Sequence, residues 1–199
     1  MGPRVAIASP RRGKEIDEWA LRIVMRIQPS AARAPEPFDI ERFYEVDLPK
    51  LTGVTTFYRK LSDGVYGYTH SETMVSCISI DLVDTWDRNK LRFGRSTMSH
   101  ESGHCVVHVP EFRRRKSVLQ SLLDRLEPPI TMYRQEDIPT YRNPEWQAWR
   151  FGGALLMPTS TFEMAVRRGN SIRELGEIFD VHQPFIRARL RSLGLAAPE

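Results

Sequence analysis

The stretch STMSHESGHCVVH, Ser96 to His108, decides how this chain is read. It carries His100, His104 and His108 at four-residue intervals, with Glu101 next to the first. On an α-helix, residues four apart stand one turn apart on the same face. His100 and His104 can therefore reach one cation while Glu101 projects beside it, the H-E-x-x-H arrangement that suits zinc. Met98, Cys105 and Val106 are apolar neighbours that place this helix in a core. His108 is a poor further ligand. It lies about 12 Å from His100 along a straight helix at roughly 1.5 Å per residue, and no glycine turn after His104 bends it back. It reads as a structural group or as a support for a ligand.

A zinc hydrolase needs a third protein ligand and an open fourth position for water. The stretch EWQAWRFGGALLMP, Glu145 to Pro158, reads as a helix with Ala148, Phe151, Leu155 and Leu156 turned to a core and a carboxylate at its start. Two readings of Glu145 stand. It is the third ligand, brought by a second helix packed on the first, or it is an acid favoured by the dipole at a helix N-terminus.

The rest of the chain sets bounds. Its 199 residues, 41% hydrophobic and 27% charged, suit one globular domain with a small appendage. A formal net charge of +4 permits contact with nucleic acid without demanding it. Cys77 and Cys105 are the two cysteines, too few for a disulfide framework and consistent with a reducing compartment. No apolar stretch serves as a signal peptide or a membrane span. The expectation is a cytoplasmic, bacterial protein with no membrane partner.

Residues 1–13 read as a flexible basic arm. Lys14 to Ile27 repeats Ile16, Trp19, Ala20, Ile23, Val24 and Ile27 at helical spacing. Pro29 to Pro37 is a linker or wrapping loop, and Asp39 an N-cap. Thr55–Arg59, Gly64–Thr69 and Met74–Ile80 read as short strands, with Ser76 and Ile78 on the core side and Cys77 on the other. The helix that holds the histidines starts at Asn89 and is expected to end near Pro110. The basic run Arg113 to Lys116 opens another helical piece, an irregular insertion with Pro128, Pro129 and Pro139 follows, then the helix Glu145–Leu156 and short helices over Thr159–Arg168, Ser171–Asp180 and Gln183–Leu193. The last two, with Val181 plugging the turn, look like a helix-turn-helix pair. Arg187, Arg189 and Arg191 are candidate phosphate contacts, although they do not share one face, which favours a structural or partner-docking role.

Two segments carry a family resemblance. RFGRSTMSHESGH, Arg92 to His104, and EWQAWRFGGALLMP resemble the signature segments of the ImmA/IrrE family of bacterial zinc metallopeptidases, and CISID sits where that family has a strand before the active helix. The likeness spans roughly Lys14 to Pro158. It implies zinc held by His100, His104 and Glu145, with Glu101 as catalytic base. It also implies a narrow target: a cognate helix-turn-helix repressor whose cleavage turns on stress, mobile-element or anti-phage genes, with DNA as a candidate trigger or ligand. The expected fold is α+β, with a zincin-like metallopeptidase core over 14–158, its active helix packed on a small, mostly antiparallel sheet, and a helical, helix-turn-helix-like segment over 159–199. Trp149 departs from the family's Asn, Gly152-Gly153 from a pair of alanines, and Ser96 to Ser99 from the usual run.

In such a site the metal acidifies a water, and Glu101 takes its proton and passes it to the leaving amine. Tyr68, His70 and Tyr141 are candidate donors to the oxyanion or substrate. The substrate is expected beside an exposed edge of Met74–Ile80. Cys77 is a candidate inhibitory fourth ligand, a thiolate latch on the open position. The rival reading is a non-enzymatic regulator that uses zinc structurally and binds DNA or a protein partner.

Overall fold

The computed structural model describes residues 4–122, 132–134 and 137–198. Helix α1 (Gly13–Ile27) buries Ile16, Ala20 and Val24, one residue per turn. The following loop does wrap: Gln28 Nε2 donates to Glu36 Oε1 and to Pro37 O, and Gln28 Oε1 accepts from the Asp39 amide. Asp39 caps α2 (Ile40–Arg42) by accepting from the Arg42 amide at 3.0 Å. A π-helical turn, Phe43–Asp47, leads into α3 (Leu48–Thr52), which stops at Gly53 in the left-handed region, φ 74°.

The sheet is mixed. Strand β4 (Val75–Ser79) lies between β2 (Thr55–Arg59), parallel to it, and β3 (Gly67–His70), antiparallel to it. A mostly antiparallel sheet with an open edge along Met74–Ile80 was the wrong expectation. The most buried of these strands takes the centre, where both of its edges find partners. The alternation holds: Ile78 joins the core and Ser76 receives the buried Tyr44 hydroxyl at 2.9 Å.

The N-terminal arm is not loose. Strand β1 (Arg4–Ala6) pairs antiparallel with β5 (Met132–Arg134). Beyond it the Ser9 amide donates to Glu111 Oε1 at 2.7 Å and Arg11 forms an ion pair with Glu111 at 2.6 Å. Long-range pairing of this kind leaves no local periodicity to read.

Asp87 caps α4 (Arg88–Gly103) through the Asn89 and Lys90 amides. The helix does not end near Pro110. A second π-helical turn, His104–His108, carries it into α5 (Val109–Leu122). Both π turns stand one residue ahead of an X-Pro pair, Leu48-Pro49 and Val109-Pro110. Proline lacks the amide hydrogen and crowds the carbonyl four residues back; a five-residue turn, closed by Leu48 N to Phe43 O and Val109 N to His104 O, widens the spiral where that crowding would fall. The helical piece expected from the basic run Arg113 to Lys116 is the continuation of this helix, not a separate one; Pro128 and Pro129 lie outside the described residues.

Asn143 caps α6 (Pro144–Leu156) through the Glu145 and Trp146 amides, with Pro144 in the first turn. Helices α7 (Thr159–Arg167), α8 (Ile172–Ile178) and α9 (Gln183–Leu193) follow, α8 opening with a Ser171–Glu174 capping box. The expected boundary at 158/159 is no break in packing: Phe162, Phe179 and Leu190 share one core with Ile16, Met98 and Phe151. The architecture is α+β, mostly helical with a small mixed sheet. No described helix is long and apolar enough to cross a membrane.

Candidate metal centre

The site begins with small residues. Helices α4 and α6 cross antiparallel with Gly103 against Ala148 and Ser99 against Gly152. A Cβ on Gly103 would lie 2.9 Å from Ala148 Cα, and one on Gly152 would lie 2.7 Å from Ser99 Oγ. Absent side chains let the backbones close, and closeness lets a short carboxylate on α6 reach two imidazoles on α4.

It does reach them. His100 Nε2 lies 3.1 Å from His104 Nε2, Glu145 Oε2 lies 3.2 Å from the first, and Glu145 Oε1 lies 3.4 Å from the second. Ligands at about 2.0–2.1 Å from a tetrahedral zinc stand about 3.3 Å apart, so the donor set fits that ion without rearrangement. Among the described residues, these three form the group of histidine, cysteine and carboxylate side chains whose donor atoms converge in this way, all within 4.8 Å. His100 is 7% exposed while the Glu145 side chain is 32% exposed, so the site is closed on the imidazole side and open on the carboxylate side.

Electrostatics agree. Burial pushes the Glu145 carboxyl up, but hydrogen bonds with His100 and His104 outweigh burial and hold it well below the usual carboxylate range. Burial pushes His104 down, and its bond to Glu145 together with the Glu101 charge reverses that.

The two imidazoles are held differently. His104 Nδ1 lies 3.1 Å from His108 Nδ1, and His108 Nε2 lies 3.1 Å from Gln147 Oε1. His100 Nδ1 has no hydrogen-bond partner among the described residues, and its ring lies on the Trp149 indole at 4.1 Å between centroids. His108 is therefore placed to support His104, not to join the converging donors. Burial, then the neighbouring His104, hold it well below the ordinary histidine range, so it is neutral.

Glu101 is 5% exposed and turns from α4 towards β3. Thr69 Oγ1 donates to Glu101 Oε2 at 2.7 Å; since that hydroxyl hydrogen is used, Ser76 donates to Thr69 at 3.1 Å and Tyr44 to Ser76 at 2.9 Å. Gly67 gives Glu101 room, since a Cβ there would lie 3.1 Å from Glu101 Oε1.

Other expected site residues are not brought together with these. Cys77 turns to the face of the sheet that carries Phe57 and Tyr68, opposite the Ser76–Thr69 face that meets Glu101, so the thiolate latch is not assembled. Burial raises the Cys77 thiol, and burial pushes the Cys105 thiol up to about 12. His70 Nδ1 is engaged by Thr73 Oγ1 at 2.8 Å in the turn after β3. Tyr141 lines a separate hollow with Pro10, Arg11, Arg12 and Glu15. Arg189 cannot meet phosphates: it is 2% exposed and bonds Met157 O, Thr159 Oγ1 and Asp17 Oδ1. Arg187 and Arg191 are exposed, one turn apart on α9.

Sequence reasoning missed Gln147, Thr69, Ser76 and Tyr44. Gln147 had a signal, a polar residue inside the apolar stripe of α6; it is fully buried. The hydroxyl chain had none, because its members come from three separate segments.

No family model and no curated protein matches the sequence. The fold is similar to that of a solved Mycobacterium tuberculosis transcriptional regulator, with a TM-score of 0.56 at 16% identity over 88% of this chain and 46% of that one. The chain thus spans less than half of that regulator's length, and the likeness is one of fold.

Proposed function

We propose that the chain is a zinc-dependent endopeptidase of the ImmA/IrrE kind with a zincin-like core, acting in the cytoplasm on a cognate helix-turn-helix repressor and so releasing stress, mobile-element or phage-defence genes. The observation that carries the reading is the convergence of His100, His104 and Glu145 from two crossing helices, with the buried Glu101 carboxylate one residue along from His100. The resemblance of Arg92–His104 and Glu145–Pro158 to that family's two signatures supports the target class.

Zinc at these ligands supplies Lewis acidity, lowering a water's pKa from about 15.7 toward roughly 7 and polarising a carbonyl. The chain supplies the rest. Thr69 occupies Glu101 Oε2 and leaves Oε1 to accept a proton, and Gly67 opposite keeps the space beside Oε1 clear. Glu101 then returns that proton to the leaving amine. β3 is an edge strand of its sheet, so an extended segment of substrate would pair along Gly67–His70, beside Glu101, rather than along β4.

The test is Glu101→Gln. The variant should bind zinc like the parent and lose cleavage of the cognate repressor by about 10²-fold or more. Equal cleavage by the two proteins would remove Glu101 from the chemistry.

A second reading is favoured by the regulator fold: a regulator that uses zinc structurally and binds DNA or a partner. Mobility shifts on single- and double-stranded DNA with wild-type and Arg187→Ala/Arg191→Ala protein separate the two. A shift lost in that variant, with no proteolysis in the parent, favours the regulator.

A further inference from the structure

Gln147 contacts two backbone carbonyls through Nε2, Ser9 O at 2.9 Å and Tyr141 O at 2.8 Å. Only the amide nitrogen can donate to them, which fixes the amide's orientation. Gln147 Oε1 therefore faces Arg11 NH1 at 3.1 Å and His108 Nε2 at 3.1 Å, and must accept from both. His108 thus carries its hydrogen on Nε2. It is 2% exposed and neither nitrogen meets a carboxylate, so nothing holds a second proton, and Nδ1 presents a lone pair. Across 3.1 Å from that lone pair stands His104 Nδ1, which must be the N–H donor. His104 Nε2 is then the nitrogen aimed at His100 Nε2 and Glu145, and the one left for a metal.

The geometry points to Gln147 and His108 as positioning residues that commit His104 Nδ1 as a donor and set the ring's tilt, so that Nε2 is the nitrogen presented to a metal ion before the ion arrives. This rests on the metal-centre part of the proposed function, not on the identity of the substrate. No comparable relay reaches His100, whose Nδ1 is unpartnered among the described residues and whose ring is steadied by Trp149 instead. Outer partners of a ligating histidine typically contribute 10–100-fold to metal affinity.

The experiment compares zinc affinity, by competition with a chromophoric chelator, in wild-type protein, His108→Phe and His108→Asn. Phe keeps the ring beside Phe112, which the His108 ring stacks on at 5.9 Å, but accepts nothing. Asn places a carbonyl oxygen where Nδ1 stood. We expect a 10–100-fold loss in His108→Phe and recovery of most of it in His108→Asn. Nitrogen-15 spectra of the metal-free wild type should show His104 protonated at Nδ1. A folded His108→Phe protein that binds zinc within twofold of wild type overturns the inference, as does a His104 bare at Nδ1. If His108→Phe does not fold, the Asn variant and the tautomer decide. A wild-type protein that takes up no zinc defeats the metal reading, while the tautomer in that protein still tests the relay on its own.

Discussion

Ser99 and Gly152 meet so closely that a side chain on Gly152 would start 2.7 Å from the Ser99 hydroxyl oxygen and 2.9 Å from its carbonyl carbon. The spacing between α4 and α6 is set here and at Gly103–Ala148, and Glu145 depends on it to reach the imidazoles. Gly152→Ala should therefore destabilise the fold by about 1–3 kcal/mol, read as a lowered melting temperature, and weaken zinc binding as well. Ser99→Ala added to it should recover little, because backbone atoms of Ser99 obstruct the methyl too.

Thr69 is the link between the buried hydroxyls and Glu101. Thr69→Val keeps the shape and removes the donor. A hydrogen bond to a charged group is worth about 1.5–3 kcal/mol, so steady-state kinetics on a cleaved substrate should show kcat lower by roughly 10–100-fold, with zinc content unchanged.

Arg189 ties α9 to the body of the fold through Asp17, which also pairs with Arg150. Arg189→Ala leaves Asp17, Met157 O and Thr159 short of a donor at a buried position, and should cost about 3–5 kcal/mol in chemical denaturation. Arg187→Ala, on the exposed face of the same helix, should change stability by less than about 0.5 kcal/mol.

Glu111 anchors the N-terminal arm. Burial pushes its carboxyl up, but Arg11, the Ser9 amide and Arg115 hold it below the usual range. A carboxylate lowered in the folded chain stabilises it above the unfolded value of about 4.3, and that contribution is lost as pH falls through the lower folded value. Protection of the Ser9 amide, its exchange compared with an unfolded chain at the same pH, should therefore be high at neutral pH and fall on acidification past about 4. In Glu111→Gln the same amide should exchange faster at neutral pH and respond less to acid.

The helices were legible because their signals are local: Asp39 as a cap, Pro144 at a first turn and the apolar repeat of α1 all stand where expected. The convergence of His100, His104 and Glu145 was legible on α4 for the same reason, and on α6 through the resemblance of a second segment, spacing alone having left two readings of Glu145. The order of the sheet and the docking of the arm were not, since β2–β4 and β1–β5 join residues far apart in the chain. Pro110 misled because a proline reads as a helix end unless a wide turn precedes it. Gln147 and Arg189 share one lesson: each is a polar residue set inside an apolar helical stripe, and each proved buried with a partner at every side-chain nitrogen.

The π turn at His104–His108 also acts as a gauge. On its N-terminal side stand His100 and Glu101; within it and beyond stand His108 and Glu111, which meet Gln147 and Ser9. Dropping one residue from Cys105–Val107 would take out the extra residue that the wide turn absorbs and leave the helix beyond it close to its present phase, whereas adding one would turn everything downstream by roughly 100° about the axis. His108 and Glu111 would then face away from their partners. This part of the chain should tolerate the loss of one residue far better than the gain of one.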